Sequence, residues 1–271
     1  MTQHPLDDPQ IVNLLFYPSK ARPGSSRVPN AQDGTIPVED PEYPDIRLGY
    51  RLYPHPAQPG ARPLILYFHG NGEVASTYDA FADLYFNLGV SFLVADYRGY
   101  GWSTGSPLTS RILSDAEAVL QGLPGVLQSA GLADVPLFVM GRSLGSAPAI
   151  HLAHQHPDRF RGLIIESGFA DTPSLFRRLG LGADFLSKLG DKSPIGNARK
   201  MAEIHLPLLV IHGERDMLLP VEHGQQLYDA SPVENKTILR VKRAGHNDLM
   251  MVGQRQYFEM LGKFIEKYGV E

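Results

Sequence analysis

Beyond Pro63 the chain is written as short, almost wholly apolar runs separated by segments of helix length, at 64–68, 92–95, 137–140, 163–165, 208–211 and 237–241. A strand with one wet face alternates apolar and polar residues, whereas a strand covered by helices on both faces shows no polar positions. The runs therefore point to a mainly parallel sheet. The segments 78–88, 112–130, 147–154, 222–229 and 257–268 carry helical periodicity, so strands alternate with helices and the expected fold class is α/β, doubly wound with right-handed crossovers. Pro124 and Gly125 are expected to bend or break the second helix, because proline removes a donor and clashes with the turn before it.

The texture before Pro63 is different. Residues 18–63 are rich in Pro, Gly and polar side chains, with a short alternation at 46–52, which reads as an irregular lead-in followed by an antiparallel edge strand. The stretch between residues 165 and 208 is longer than one crossover requires. Its apolar residues among glycines, Leu175, Phe176, Leu179, Leu181, Phe185, Leu186 and Leu189, read as a small helical lid over about 171–199. One domain is expected, with residues 1–62 as lead-in and edge strands and 63–271 as the core.

Composition narrows the function classes. A hydrophobic share of 43% fills two helix–sheet interfaces, and a charged share of 20% is too low for a disordered chain. The formal net charge is -4, with Lys and Arg scattered, so no basic face is at hand to neutralise a nucleic-acid backbone. With no cysteine, disulfides, thiolate metal sites and a cysteine nucleophile fall away together. The start carries no basic segment followed by an apolar run, and no stretch approaches the roughly 18 to 20 apolar residues of a membrane span. A cytoplasmic protein with no transmembrane segment is expected, and nothing in the sequence fixes its oligomeric state.

The most chemically specific segment runs Leu137-Phe138-Val139-Met140-Gly141-Arg142-Ser143-Leu144-Gly145-Ser146-Ala147. An apolar strand enters a G-x-S-x-G pentapeptide and leaves as a small-residue helix, the context this motif needs before it means anything. The turn exposes the Ser143 hydroxyl, its glycines avoid Cβ clashes, and the helix aims its N-terminal amides at developing negative charge. Arg142 reads as a partner for a nearby carboxylate that steadies the turn, and Ser146 as a capping or packing hydroxyl.

A serine hydroxyl in neutral water needs a positioned base, and histidine suits the task. Of the 10 histidines, His246 follows the last expected strand in a glycine-freed loop, and strand C-terminal loops in such sheets share one edge. His151, His154 and His156 are expected to face solvent, and His212 to pack at a strand end. Asp216 lies in the loop after the preceding strand, where a carboxylate can accept the imidazole Nδ1 proton and fix the tautomer. Glu166, directly after the 163–165 run, is the alternative acid. The chain order Ser, Asp, His is the one this kind of fold gives its triad.

Taken jointly, Gly141-Arg142-Ser143-Leu144-Gly145, His69-Gly70-Asn71-Gly72, Asp96-Tyr97-Arg98-Gly99-Tyr100-Gly101-Trp102-Ser103, His212-Gly213-Glu214-Arg215-Asp216 with Pro220, and Gly245-His246 resemble the α/β-hydrolase family. The similarity is to its serine aminopeptidase-like and BEM46-like branch, which includes acyl-protein thioesterases and bacterial esterases. The resemblance runs from about residue 63 to the C-terminus. It implies an oxyanion hole made by the backbone amides of Asn71 and Leu144, with His69 packed beneath the loop and Asp96 and Arg98 structural. The chain lacks the N-terminal cysteine cluster of the palmitate-removing branch, so lipid anchoring is not expected, and shows no β-propeller, which argues against oligopeptidase activity. Serine at residue 143, where dehalogenases and epoxide hydrolases of this fold carry Asp, argues against those chemistries.

The function expected is hydrolysis of a carboxylic ester or thioester through an acyl-enzyme on Ser143, with no cofactor or metal. Amide or peptide cleavage by the same residues and a catalytically silent binding protein are the alternatives. Tyr100, Trp102, Phe169, Phe176 and Phe185 are candidates for lining an acyl pocket in a small-molecule ester substrate's path.

Overall fold

A computed structural model describes residues 4–57, 62–171 and 196–269. The chain forms two compact units, Met1–Phe138 and Val139–Glu271.

In the first unit four strands run in the order β1 (Gln32–Pro37), β2 (Arg47–Tyr53), β4 (Ser91–Ala95), β3 (Leu64–Phe68). β1 and β4 flank β2 antiparallel, and β3 pairs β4 parallel, with Leu66 opposite Leu93. All five residues of β3 and of β4 are buried, which is why both appear as unbroken apolar runs. The edge strand of this unit is β1, not the 46–52 segment, which lies one position inward as β2. Helix α1 (Pro9–Leu15) starts where Asp8 accepts the Gln10 N–H at 2.8 Å and Pro9 fills the first turn, where a missing donor costs nothing. The expected helix over 78–88 is divided into a 3-10 segment at Ala75–Phe81 and α2 (Ala82–Phe86).

Helix α3 (Ile112–Ser129) buries Ile112, Ala116, Val119, Leu120, Leu123 and Leu127, spaced three and four apart, and packs on β1. It runs unbroken through Pro124, so the expected break does not occur. Pro124 and Gly125 sit on the exposed face, so the ring displaces no core side chain.

In the second unit the order is β5 (Leu137–Arg142, in this unit from Val139 on), β6 (Gly162–Glu166), β7 (Leu208–Gly213), β8 (Lys236–Val241). β6 pairs β7 and β7 pairs β8 in parallel, with Ile165 opposite Val210 and Ile211 opposite Leu239. Helix α4 (Ser146–Gln155), which buries Ser146, Ala147, Pro148, Ala149, Ile150, Leu152 and Ala153, packs on β6. Helices α5 (Asn197–Met201) and α6 (Val221–Ala230) follow, α6 covering β7 and β8. The last helix, α7 (Leu249–Tyr268), starts well before the expected residue 257 and packs on β8 and β7. Most of the expected lid, 171–199, lies outside the described residues, with Phe176 and Phe185 in it. Among the described residues no helix is long and apolar enough to cross a membrane.

Candidate active site

β5 ends at Arg142 and the chain turns into a 3-10 segment, Ser143–Gly145, before α4 begins. Ser143 sits at φ 51°, a left-handed conformation that costs a non-glycine residue roughly 1–3 kcal/mol and persists only where surroundings enforce it. The enforcement is visible on either side. A Cβ on Gly141 would lie 2.1 Å from the Gly145 carbonyl oxygen, so only glycine lets the strand end and the helix start close over one another. The Ser146 hydroxyl donates to the Ser143 carbonyl at 2.6 Å.

Two loops at the ends of β7 and β8 bring the base and the acid to this turn. The Glu214 N–H donates to the Val241 carbonyl at 3.0 Å and the Arg215 N–H to the Ala244 carbonyl at 2.8 Å. A Cβ on Gly213 would meet the Ala244 carbonyl oxygen at 2.5 Å, so the glycine of His212-Gly213 is what permits the two backbones to touch. The His246 Nε2 lies 2.9 Å from the Ser143 Oγ, and its Nδ1 lies 2.7 Å from Asp216 Oδ2. All three residues are buried. Asp216 Oδ1 also accepts the N–H groups of Leu218 at 3.0 Å and Leu219 at 2.7 Å.

Burial by itself would push the Asp216 carboxyl up. Hydrogen bonds from His212 and His246, the charge on His246 and the Leu219 N–H outweigh it and hold the group well below the usual carboxylate range. Asp216 is therefore an anion at neutral pH. An anionic acceptor on Nδ1 places the proton there and leaves Nε2 facing the serine hydroxyl as a lone pair.

Glu166, the alternative acid, is differently employed. Its Oε1 accepts from Arg142 Nε at 3.1 Å and its Oε2 from the Tyr257 hydroxyl at 2.8 Å. Arg142 Nη2 in turn donates to the His246 carbonyl at 2.8 Å and to Asn247 Oδ1 at 3.2 Å. The residue beside the serine thus grips the backbone of the histidine. The sequence signalled an arginine–carboxylate pair but not this second grip, which depends on a contact across 104 residues.

The other expected residues fall as follows. Asn71 Oδ1 accepts from the Tyr17 N–H at 2.9 Å and from the Tyr100 hydroxyl at 2.6 Å, and its Nδ2 donates to the Leu15 carbonyl at 2.8 Å. Its side chain is therefore occupied in holding the N-terminal segment to the loop after β3. Tyr100 is buried with its hydroxyl in that network, and the Trp102 Nε1 donates to the Gly34 carbonyl at 2.9 Å. Phe169 is buried and its carbonyl accepts from Asn197 Nδ2 at 2.8 Å. His69 lies beneath its loop, with Nδ1 at 2.8 Å from the Gly70 carbonyl and Nε2 at 3.2 Å from Asp96 Oδ1. Leu144 is the middle residue of the 3-10 segment that begins at Ser143. Among the described residues no group of His, Cys, Asp and Glu is placed to hold a metal ion.

A parallel α/β scaffold that presents a strained serine, a histidine and a buried carboxylate has known relatives. The family model described as serine aminopeptidase, S33, matches residues 59–201. The chain is 30% identical over 223 residues to the alpha/beta hydrolase domain-containing protein WAV2 of Arabidopsis thaliana, covering 77% of this chain and 71% of that one. It is 27% identical over 259 residues to protein bem46 of Schizosaccharomyces pombe, covering 93% and 84%. The Pyrococcus furiosus esterase Pf2001 matches in structure with a TM-score of 0.74 at 18% identity, over 94% of this chain and 99% of that one, a likeness that speaks for the fold. The chain belongs to the serine aminopeptidase S33 family of α/β-hydrolases, in the branch that holds bem46 and WAV2.

Proposed function

We propose that this hydrolase cleaves carboxylic esters or thioesters of small molecules through an acyl-enzyme on Ser143. The observation that carries the reading is the unbroken relay of 2.9 Å from Ser143 Oγ to His246 Nε2 and 2.7 Å from His246 Nδ1 to Asp216 Oδ2. As Ser143 Oγ attacks the acyl carbon, its proton passes to His246 Nε2. The imidazolium so formed is stabilised by Asp216 and returns the proton to the leaving oxygen or sulfur. Water then repeats the sequence on the acyl-enzyme, with His246 as base. The oxyanion donor in this reading that the second unit supplies is the backbone amide of Leu144. The Leu144 N–H belongs to the first turn after the nucleophile, where amides have no partner within the helix. The name of the Pyrococcus furiosus esterase supports ester over amide cleavage as the first choice.

A fluorophosphonate probe is expected to label the wild type and to fail on Ser143→Ala. Asp216→Asn is expected to lower kcat on the order of ten-thousand-fold, because an amide in place of the carboxylate favours the wrong imidazole tautomer. p-Nitrophenyl esters and thioesters of graded chain length, assayed beside aminoacyl-anilides, then divide the chemistries. Faster turnover of the anilides would replace this reading with a peptidase, and absence of labelling with a binding protein.

A further inference from the structure

His212 precedes the glycine that lets the two loops touch, and its side chain is fully buried. Sequence reasoning gives it a packing role at the end of β7. Its hydrogen bonding goes further. The Nε2 lies 2.7 Å from the Leu219 carbonyl oxygen, a group that can only accept. That contact requires a proton on Nε2. On the other side of the ring, Nδ1 is buried with no hydrogen-bond partner in the described residues, and helix α6 presses against it: a Cβ on Gly224 would lie 2.6 Å from Nδ1. A proton there would be a buried donor with nothing to donate to, whereas the N–H on Nε2 has its acceptor.

The same N–H faces Asp216. His212 Nε2 is 3.4 Å from Asp216 Oδ2, the oxygen that accepts from His246. Leu219 closes the arrangement, since its N–H donates to Asp216 Oδ1 at 2.7 Å while its carbonyl accepts from His212. Both ends of that residue's backbone are therefore fixed, one by the carboxylate and one by the imidazole. The turn that aims Asp216 is anchored to β7 at His212.

We propose that His212 is a positioning residue for the triad: its Nε2–H, bonded to the Leu219 carbonyl, fixes the turn whose Leu219 N–H holds Asp216 Oδ1, and so keeps the carboxylate at the angle and distance that His246 needs. The role rests on the reading of Asp216 as the acid of the triad. It acts on the reacting atoms only through Asp216 and His246, so its loss falls on kcat and leaves KM in place. His212 lies four residues before the acid in sequence, but the tie between them through Leu219 is a property of this geometry.

The test uses the length of the side chain. His212→Gln can place an amide N–H near the position of Nε2, His212→Asn places one only near Nδ1, and His212→Phe fills the ring's space with no donor. With a p-nitrophenyl ester as substrate and active sites counted by fluorophosphonate titration, kcat is expected to fall roughly tenfold to a hundredfold in the Asn and Phe variants with KM within twofold, the size seen for outer-shell partners elsewhere. The Gln variant is expected to recover most of kcat. Equal kcat in all folded variants, or a Gln variant as slow as the Asn variant, would overturn the proposal. Should His212→Phe not fold, the Gln and Asn pair alone decides. Asp216→Asn assayed alongside separates this result from the triad reading, which fails if that variant keeps its activity.

Discussion

Replacing Arg142 by methionine separates two jobs that one guanidinium performs. Its Nε pairs with Glu166 Oε1 at 3.1 Å, and the Glu166 side chain is 1% exposed. Its Nη2 holds the His246 carbonyl at 2.8 Å. Removing one partner of a buried pair strands the other charge and costs about 3–5 kcal/mol. Against the ~5–15 kcal/mol that holds a native protein together, such a loss moves the urea midpoint far. Adding Glu166→Gln neutralises the stranded group while keeping an acceptor for the Tyr257 hydroxyl, so about half of the lost stability or more is expected to return. Activity is not expected to follow. Neither variant anchors the His246 backbone, and a misplacement of about 1 Å costs on the order of a hundredfold in rate. Urea unfolding followed by circular dichroism, with kcat per titrated active site on a p-nitrophenyl ester, reads both quantities. The reasoning is refuted if the double variant regains activity together with stability, for then Arg142 serves only to neutralise Glu166.

Further outcomes follow from the same contacts. Gly213→Ala puts a Cβ 2.5 Å from the Ala244 carbonyl oxygen, which drives the acid and base loops apart; kcat is expected to fall at least tenfold while the far-ultraviolet dichroism is unchanged, and a wild-type kcat would show that the loops tolerate separation. Burial, followed by the nearby charge of Arg199, pushes the Lys200 amine down to about 8, against about 10.4 in an unfolded chain. The unfolded state then binds more protons between those two values, so stability is expected to rise as pH increases from about 8 to about 10. In urea titrations Lys200→Met should abolish that slope and raise stability at pH 7 by an amount on the order of 2 kcal/mol; an unchanged slope would contradict the assignment.

What the sequence disclosed and what it hid have physical reasons. β3, β4, β5, β6 and β7 are buried at every position, so apolar runs marked them to within two residues. β1 reads Gln32-Asp33-Gly34-Thr35-Ile36-Pro37 with one buried residue, and an edge strand with a glycine and a terminal proline has the composition of a loop. The first turns of α7 were hidden by Gly253, whose backbone at φ -117°, ψ 21° interrupts the helix where a Cβ would meet Val241 Cγ1 at 2.4 Å. Pro124 misled in the other direction, since its effect depends on which face of α3 it occupies.

The site divides along the same line. Ser143 is announced by neighbours adjacent in sequence, and strand-end loops narrow the choice of His246 and Asp216. Their anchoring by Arg142 and His212 depends on contacts between side chain and backbone carbonyl, which leave no pattern of residue types behind. A carbonyl acceptor is present at every position and singles out none.

The central claim is that Ser143 carries the acyl group during turnover. Rapid quenching of the wild type with a slowly hydrolysed p-nitrophenyl ester, followed by peptide mapping by mass spectrometry, tests it most directly. The account predicts an acyl adduct on the peptide containing Ser143, formed in the p-nitrophenol burst and absent from Ser143→Ala. Steady hydrolysis by the wild type with no adduct on that peptide, or with the acyl group on another residue, would contradict it.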